Sequence, residues 1–199
     1  MDDFTIERTD RPGPAWDERI AAIPGASLFH HSGWSRVWEG EYGHEGVGLM
    51  ARRGGRDLAA CFLVRKPSFV LGRHWVAVPY FDAAAPIGDA QFVRPLVERA
   101  WEMAREDGAK FLEVRSDVDL GAPWPCRSHK VTVRLDLPPV EEDLLPGFRK
   151  KLRSQIKRGL REVERTESGG AEWADAFHAV YSHRMRELGS PAHGARLFR

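Results

Sequence analysis

The chain has 199 residues, with 30 Lys+Arg against 29 Asp+Glu for a formal charge of +1, and 42% of its residues are hydrophobic. That balance excludes wholesale disorder and collagen-like repeats, and it does not suit a protein whose main task is coating nucleic acid. The length fits one domain, or one domain and part of a second. Cys61 and Cys126 are the two cysteines and form no CxxC pair, which excludes a disulfide framework, the usual zinc site and a thioredoxin-like centre. A reducing, cytoplasmic setting is expected. The acidic start Met1-Asp2-Asp3-Phe4 does not read as a signal peptide, and no run approaches the roughly 18 apolar residues that span a bilayer. Seven Trp imply a substantial core and suggest a lined groove.

In chain order, residues 4–7 read as a short strand and 14–23 as a helix, with Pro14 in its first turn and Pro24-Gly25 ending it. Residues 32–41 read as a second helix with Trp34, Val37 and Trp38 on one face. Ser32 is its expected N-cap. Residues 47–53 and 58–65 are apolar-rich and flank Gly54-Gly55, the pattern of a hairpin. Residues 69–71 and 75–78 extend this into an antiparallel meander, and 79–88 form a loop. The clearest helix is 91–107, with Phe92, Val93, Leu96, Val97, Ala100, Trp101 and Ala104 at helical spacing and Gly108 after it. Residues 111–115 form a strand. Val131, Val133 and Leu135 alternate with polar residues, predicting a half-buried strand.

The last third differs. Residues 144–165 predict a basic helix carrying Arg149, Lys150, Lys151, Arg153, Lys157, Arg158, Arg161 and Arg165, and 172–188 predict another helix. Leu197 and Phe198 look like the start of a further amphipathic segment. A helical pair hung after a finished α+β unit makes a poor domain by itself, so the chain is expected to continue in its relatives.

Several stretches now gain meaning together. Residues 29–38 (FHHSGWSRVW), 76–82 (VAVPYFD), 111–115 (FLEVR), 148–158 (FRKKLRSQIKR) and 185–191 (MRELGSP) occur in the order found in the FemAB-like branch of the acyl-CoA N-acyltransferase (GNAT-type) proteins. The chain resembles that family over nearly its whole length. The resemblance implies an α+β fold with a mixed, mainly antiparallel sheet flanked by helices, followed by a basic linker helix. It divides the chain into a GNAT-like N-terminal domain (1–143), the linker helix (144–168) and the start of an incomplete second domain (169–199). It implies transfer of an acyl or aminoacyl group to an amine in cell-wall (peptidoglycan) or exopolysaccharide chemistry, with acyl-CoA or aminoacyl-tRNA as donor. No cofactor is expected to be held by this chain alone, and the isolated chain is expected to be weak or inactive.

The candidate site residues follow from charge and position. Arg149, Arg153 and Lys157 share a helix face at i, i+4, i+8 and suit phosphate oxygens. Tyr80 and Asp82 sit in the loop after a strand, where one can hydrogen-bond a peptide or sugar and the other orient an amine, although a turn with a capping Asp explains the same residues. The resemblance places Trp38 where bridge-forming members carry a nucleotide-sugar-binding Lys, which counts against a nucleotide-linked precursor and leaves Lys130 as a substitute cation. Glu113 and Asp117 flank a strand end, and nothing singles them out as acid or base. No metal site is expected. No stretch matches Q/R-x-x-G-x-G/A, the pyrophosphate cradle of self-sufficient acetyl-CoA enzymes. A different class of function fits the same basic helix: a non-catalytic module that binds an anionic membrane surface or, less well, RNA.

Overall fold

The paired apolar runs on either side of Gly54-Gly55 form the centre of a sheet in a computed structural model, which describes residues 4–70, 72–81, 86–116, 119–121, 123–128, 131, 133 and 135–199. Two compact units result, 1–127 and 128–199. In the first, the strands are β1 (Thr5–Asp10), β2 (Glu45–Arg53), β3 (Arg56–Lys66), β4 (His74–Ala77), β5 (Ile87–Gly88) and β6 (Leu112–Glu113). Their order is β1-β2-β3-β4-β6, with β5 paired to β3. Every pairing is antiparallel except β4 with β6, which is parallel. The unit is α+β, a mostly antiparallel open sheet flanked by helices α1 (Pro14–Ile20), α2 (Gly33–Tyr42) and α3 (Ala90–Glu106).

The strict alternation of β2 and β3 gives the sheet two apolar faces. Leu49, Cys61, Leu63 and Trp75 pack against α3 through Phe92, Leu96, Ala100 and Met103. Cys61 therefore serves as a small core residue, and burial pushes its thiol up to about 12. Met50, Phe62, Val64 and Val78 face the other way, onto Trp16 and Ile20 of α1 and Trp38 of α2. Gly48 belongs to this packing because a Cβ there would lie 2.5 Å from the Trp16 ring. Asp17 on α1 takes hydrogen bonds from the Ser32 amide (2.7 Å) and hydroxyl (2.6 Å). Ser32 thus ties α2 to α1 and does not cap its own helix with its side chain.

Two expected strands are not formed by the described residues. Phe69 and Val70 lie in an exposed turn. Val131, Val133 and Leu135 are exposed at 88%, 88% and 57%, and no strand is formed by the described residues of that stretch. Alternation supplies a buried face only where a neighbouring strand takes up the backbone groups, and none of the described pairings involves this stretch.

The second unit holds α4 (Lys150–Glu162) and α5 (Ala174–Glu187). α4 is shorter than the 144–165 expected, because Pro146 disfavours helical backbone at Leu145 and the chain becomes extended at Val163. No residue of α4 is buried. Trp173 is 46% exposed. The terminal turn folds back on α5: the Phe198 ring lies 5.0 Å from Phe177 and 5.1 Å from Tyr181, and Arg199 pairs with Asp175 at 2.6 Å.

Candidate functional site

The α1/α2 face of the sheet changes from apolar to polar toward β4 and β6. Alternation along 111–115 sends Leu112 and Val114 to the α3 core, so Glu113 and Arg115 belong to the opposite face. Glu113 pairs in register with Val76, Val76 with Val64, and Lys66 with His74. Lys66, His74, Glu113 and Arg115 therefore share a face with Val64, Val76 and Val78 but replace its apolar character with charge.

The loop after β4 returns across this patch. Val78 and Tyr80 both have positive φ (44° and 73°), a sparsely populated conformation for residues with a Cβ and costly for a β-branched one. Phe81 is anchored among the rings of Phe29 (4.7 Å) and Trp34 (4.6 Å), and its carbonyl accepts a 3.1 Å hydrogen bond from Arg115. Arg115 also binds the Glu113 carboxylate at 2.6 Å. This packing holds Tyr80 over the patch. Its ring packs at a tilt 4.8 Å from Tyr42, the Lys66 ammonium lies 4.9 Å from its centroid, and its hydroxyl is 3.5 Å from His44 Nε2.

The electrostatics follow from burial. His44 is 8% exposed and its Nδ1 is buried with no hydrogen-bond partner. Burial, with Lys66 and His74 nearby, moves its ordinary value of 6.5 down to about 4, so the ring is neutral at pH 7. Burial and then Arg115 lower the Lys66 ammonium, with Glu113 opposing. Burial raises the Tyr80 hydroxyl, and Tyr42 adds to this. Together these groups offer a phenol, a neutral imidazole and a partly desolvated cation beside the amino end of β4, where Lys66 pairs with His74. Chemically, the set can hold an anion and pass hydrogen bonds to a carbonyl or amine.

No family model matches the sequence, and no curated protein matches it. Among solved structures, FemX superposes with a TM-score of 0.55 at 13% identity over 96% of this chain. The chain has the FemX fold. The order of motifs led us to expect this fold, and the chain spans 53% of the FemX chain's length. A probable acetyltransferase (TM-score 0.38, 19% identity) covers 67% of this chain and 99% of its own. A Trypanosoma brucei acetyltransferase (0.39, 15%) covers 68% of this chain and 100% of its own.

Within this FemX-type fold, Tyr80 lies at the patch. Asp82, Asp117 and Lys130 fall outside the described residues. Arg149 precedes α4 and is exposed, as is Lys157, whereas Arg153 is half-buried and donates to the Pro146 carbonyl at 3.1 Å. No group of His, Cys, Asp or Glu suited to a metal ion occurs among the described residues. Among those residues no helix is long and apolar enough to cross a membrane. Sequence reasoning did not select His44, Lys66 and Arg115. The available signal was the parity of 111–115, which puts two charges on the face that β3 and β4 fill with valines.

Proposed function

We propose that the chain is a FemAB-like N-acyltransferase unit that carries an acyl or aminoacyl group to an amine acceptor in cell-wall or exopolysaccharide chemistry. The observation that carries this reading is the polar patch under Tyr80, on the uncovered end of a sheet face in a FemX-type fold. Such transfer depends on holding a neutral amine against an activated carbonyl and on hydrogen bonds to the developing oxyanion. In this reading Tyr80, Asp82 and Lys130 serve the acceptor. Arg149, Arg153 and Lys157 meet the phosphates of the donor, an acyl-CoA or an aminoacyl-tRNA. The isolated unit supplies part of a reaction centre, so its turnover is low.

The test is mass spectrometry of a panel of amines incubated with the purified chain and acetyl-CoA or a charged tRNA. Slow, enzyme-dependent N-acylation that falls about tenfold or more in Tyr80→Phe is the expected result. Absence of acylation with every donor and acceptor overturns the reading.

One observation favours a second reading. Leu152 and Leu160 are 42% and 70% exposed on α4, and helical spacing sets them apart from the arc of Lys150, Lys157 and Arg161. That is the arrangement of an interfacial helix. Salt-sensitive binding to anionic vesicles without acyl transfer would favour it.

A further inference from the structure

Unit 1 pairs its partly buried cations with care. Arg19 meets Asp57 (2.7 Å) and Glu7 (2.9 Å), and Arg52 meets Glu7 (3.0 Å) and Asp57 (2.7 Å). Arg65 meets Asp10 (3.2 Å) and Glu45 (3.3 Å), and Arg115 meets Glu113 (2.6 Å). Lys66 breaks the pattern. It is half-buried at the end of β3, yet among the described residues no carboxylate lies within ion-pair distance and no hydrogen bond takes up its ammonium. Its ammonium lies 4.9 Å from the centre of the Tyr80 ring. The acid nearest in register, Glu113, is already committed to Arg115.

A desolvated cation without a counter-charge costs stability, so folds normally pair it. A ring face offsets part of that cost but leaves the ammonium's three N–H donors without an acceptor. The surroundings are arranged to receive one. The Tyr42 ring packs on Tyr80, their centroids 4.8 Å apart at a 31° tilt, and steadies the ring face that meets the ammonium. His44, more than nine-tenths buried and neutral at pH 7, sets its Nε2 3.5 Å from the Tyr80 hydroxyl and so fixes the phenol beside Lys66. The strained backbone at Val78 and Tyr80 holds the phenol in place. The Glu113 carboxylate on this face is paired with Arg115 at 2.6 Å.

We propose that Lys66 is the docking point for an anionic group, a carboxylate or a phosphate, carried by the acceptor substrate. That the ligand is the acceptor rests on the acyltransferase reading; the anion site itself does not. The acceptor is thus an acidic amine, such as an amino acid, a peptide with a free carboxylate, or a phosphorylated amino sugar, and not a neutral polyamine.

Calorimetric titration of the full chain tests this with three probes: N-acetylglycine, its neutral amide, and inorganic phosphate. Lys66→Met and Lys66→Arg variants accompany the wild type. At least one anion binds, the amide does not, Lys66→Met weakens binding about tenfold or more, and Lys66→Arg retains it. Binding of N-acetylglycine alone assigns a carboxylate-bearing acceptor, and of phosphate alone a phosphorylated one. Thermal melts add a readout that a structural lysine would move the other way. Lys66→Met leaves the melting temperature unchanged or raises it, because an uncompensated charge is removed. No anion binding, binding indifferent to Lys66→Met, or a lowered melting temperature in that variant overturns the proposal. Anion binding intact in a chain that acylates nothing defeats the acyltransferase reading and leaves the anion site standing. Acylation with an acceptor KM indifferent to Lys66→Met leaves the acyltransferase reading standing and overturns the assignment of the anion to the acceptor.

Discussion

His44 links the site to the stability of the fold. Its imidazole binds a proton near pH 6.5 in the unfolded chain and near 4 when folded. The unfolded state therefore takes up more protons between those values, and stability rises with pH across that window. Urea midpoints should climb from pH 4 to 6.5 and then level off, and His44→Gln should flatten the rise. Gly48 makes a different demand. Its missing Cβ admits the Trp16 ring at 2.5 Å from where that atom would stand, and Trp16 in turn donates its indole N–H to the His30 carbonyl at 2.9 Å. Gly48→Ala forces the ring aside, with an expected loss of about 1–3 kcal/mol in denaturant unfolding. Neither residue was legible in the sequence as more than a turn histidine and a strand glycine. Both owe their roles to partners more than ten residues away.

At the scale of elements, the hairpin of β2 and β3 is fastened to β1 and α1 by charge. Glu7, Arg19, Arg52 and Asp57 form one network, and their hydrogen bonds hold the two carboxyls below the usual carboxylate range. A depressed carboxyl contributes stability above its unfolded value and loses it as the pH falls through the folded value. This network therefore fails below about pH 4, beneath the His44 window. Asp57→Asn should remove most of that acid-limb slope while leaving the rise between 4 and 6.5 in place.

α4 stands at the other extreme. It buries nothing, has no side-chain cap, and carries Lys150 and Lys151 against the positive end of its own dipole. A helix of 13 residues in that condition is marginal. Its amides should exchange quickly while those of β2 and β3 are protected, and Lys150→Glu should add helical signal in circular dichroism, by about 0.3–1 kcal/mol. The elements that were legible in advance were those whose pattern carried its own partner. The hairpin read correctly because its two runs face each other across a Gly-Gly turn, and α3 because its stripe exceeds four turns. Val131, Val133 and Leu135 alternate just as well and are exposed, since a period of two says which face would be buried and not what would bury it.

At the scale of the molecule, both apolar clusters draw only on residues 4–120. A fragment ending at residue 127 should therefore unfold cooperatively in guanidinium with near-native strand content; a broad, non-cooperative transition would show that residues 128–199 complete the fold. The order of motifs along the chain gave the architecture, because order survives where identity has fallen to 13%. The site was only half legible. Tyr80 stood out beside a strand end, but the cation it covers lies 14 positions earlier and the arginine that fixes its loop lies 35 later. A register across β3, β4 and β6 brings them together, and composition does not encode a register.

The ring cluster under Tyr80 gives the chain an optical property. Trp38 is fully buried, its indole N–H has no hydrogen-bond partner, and it stacks near Trp34 (6.3 Å) and Phe81 (6.4 Å). Trp173, by contrast, is 46% exposed and emits from water. Excitation at the red edge of indole absorption should separate a red component from Trp173 from a blue one shared by the buried Trp16, Trp38 and Trp75. Because Phe81 follows Tyr80 directly, whatever settles against the phenol pushes on Trp38, one of the three blue emitters. The chain carries its own fluorescent gauge of occupancy, with an internal reference in the second unit, and no label is needed to read it.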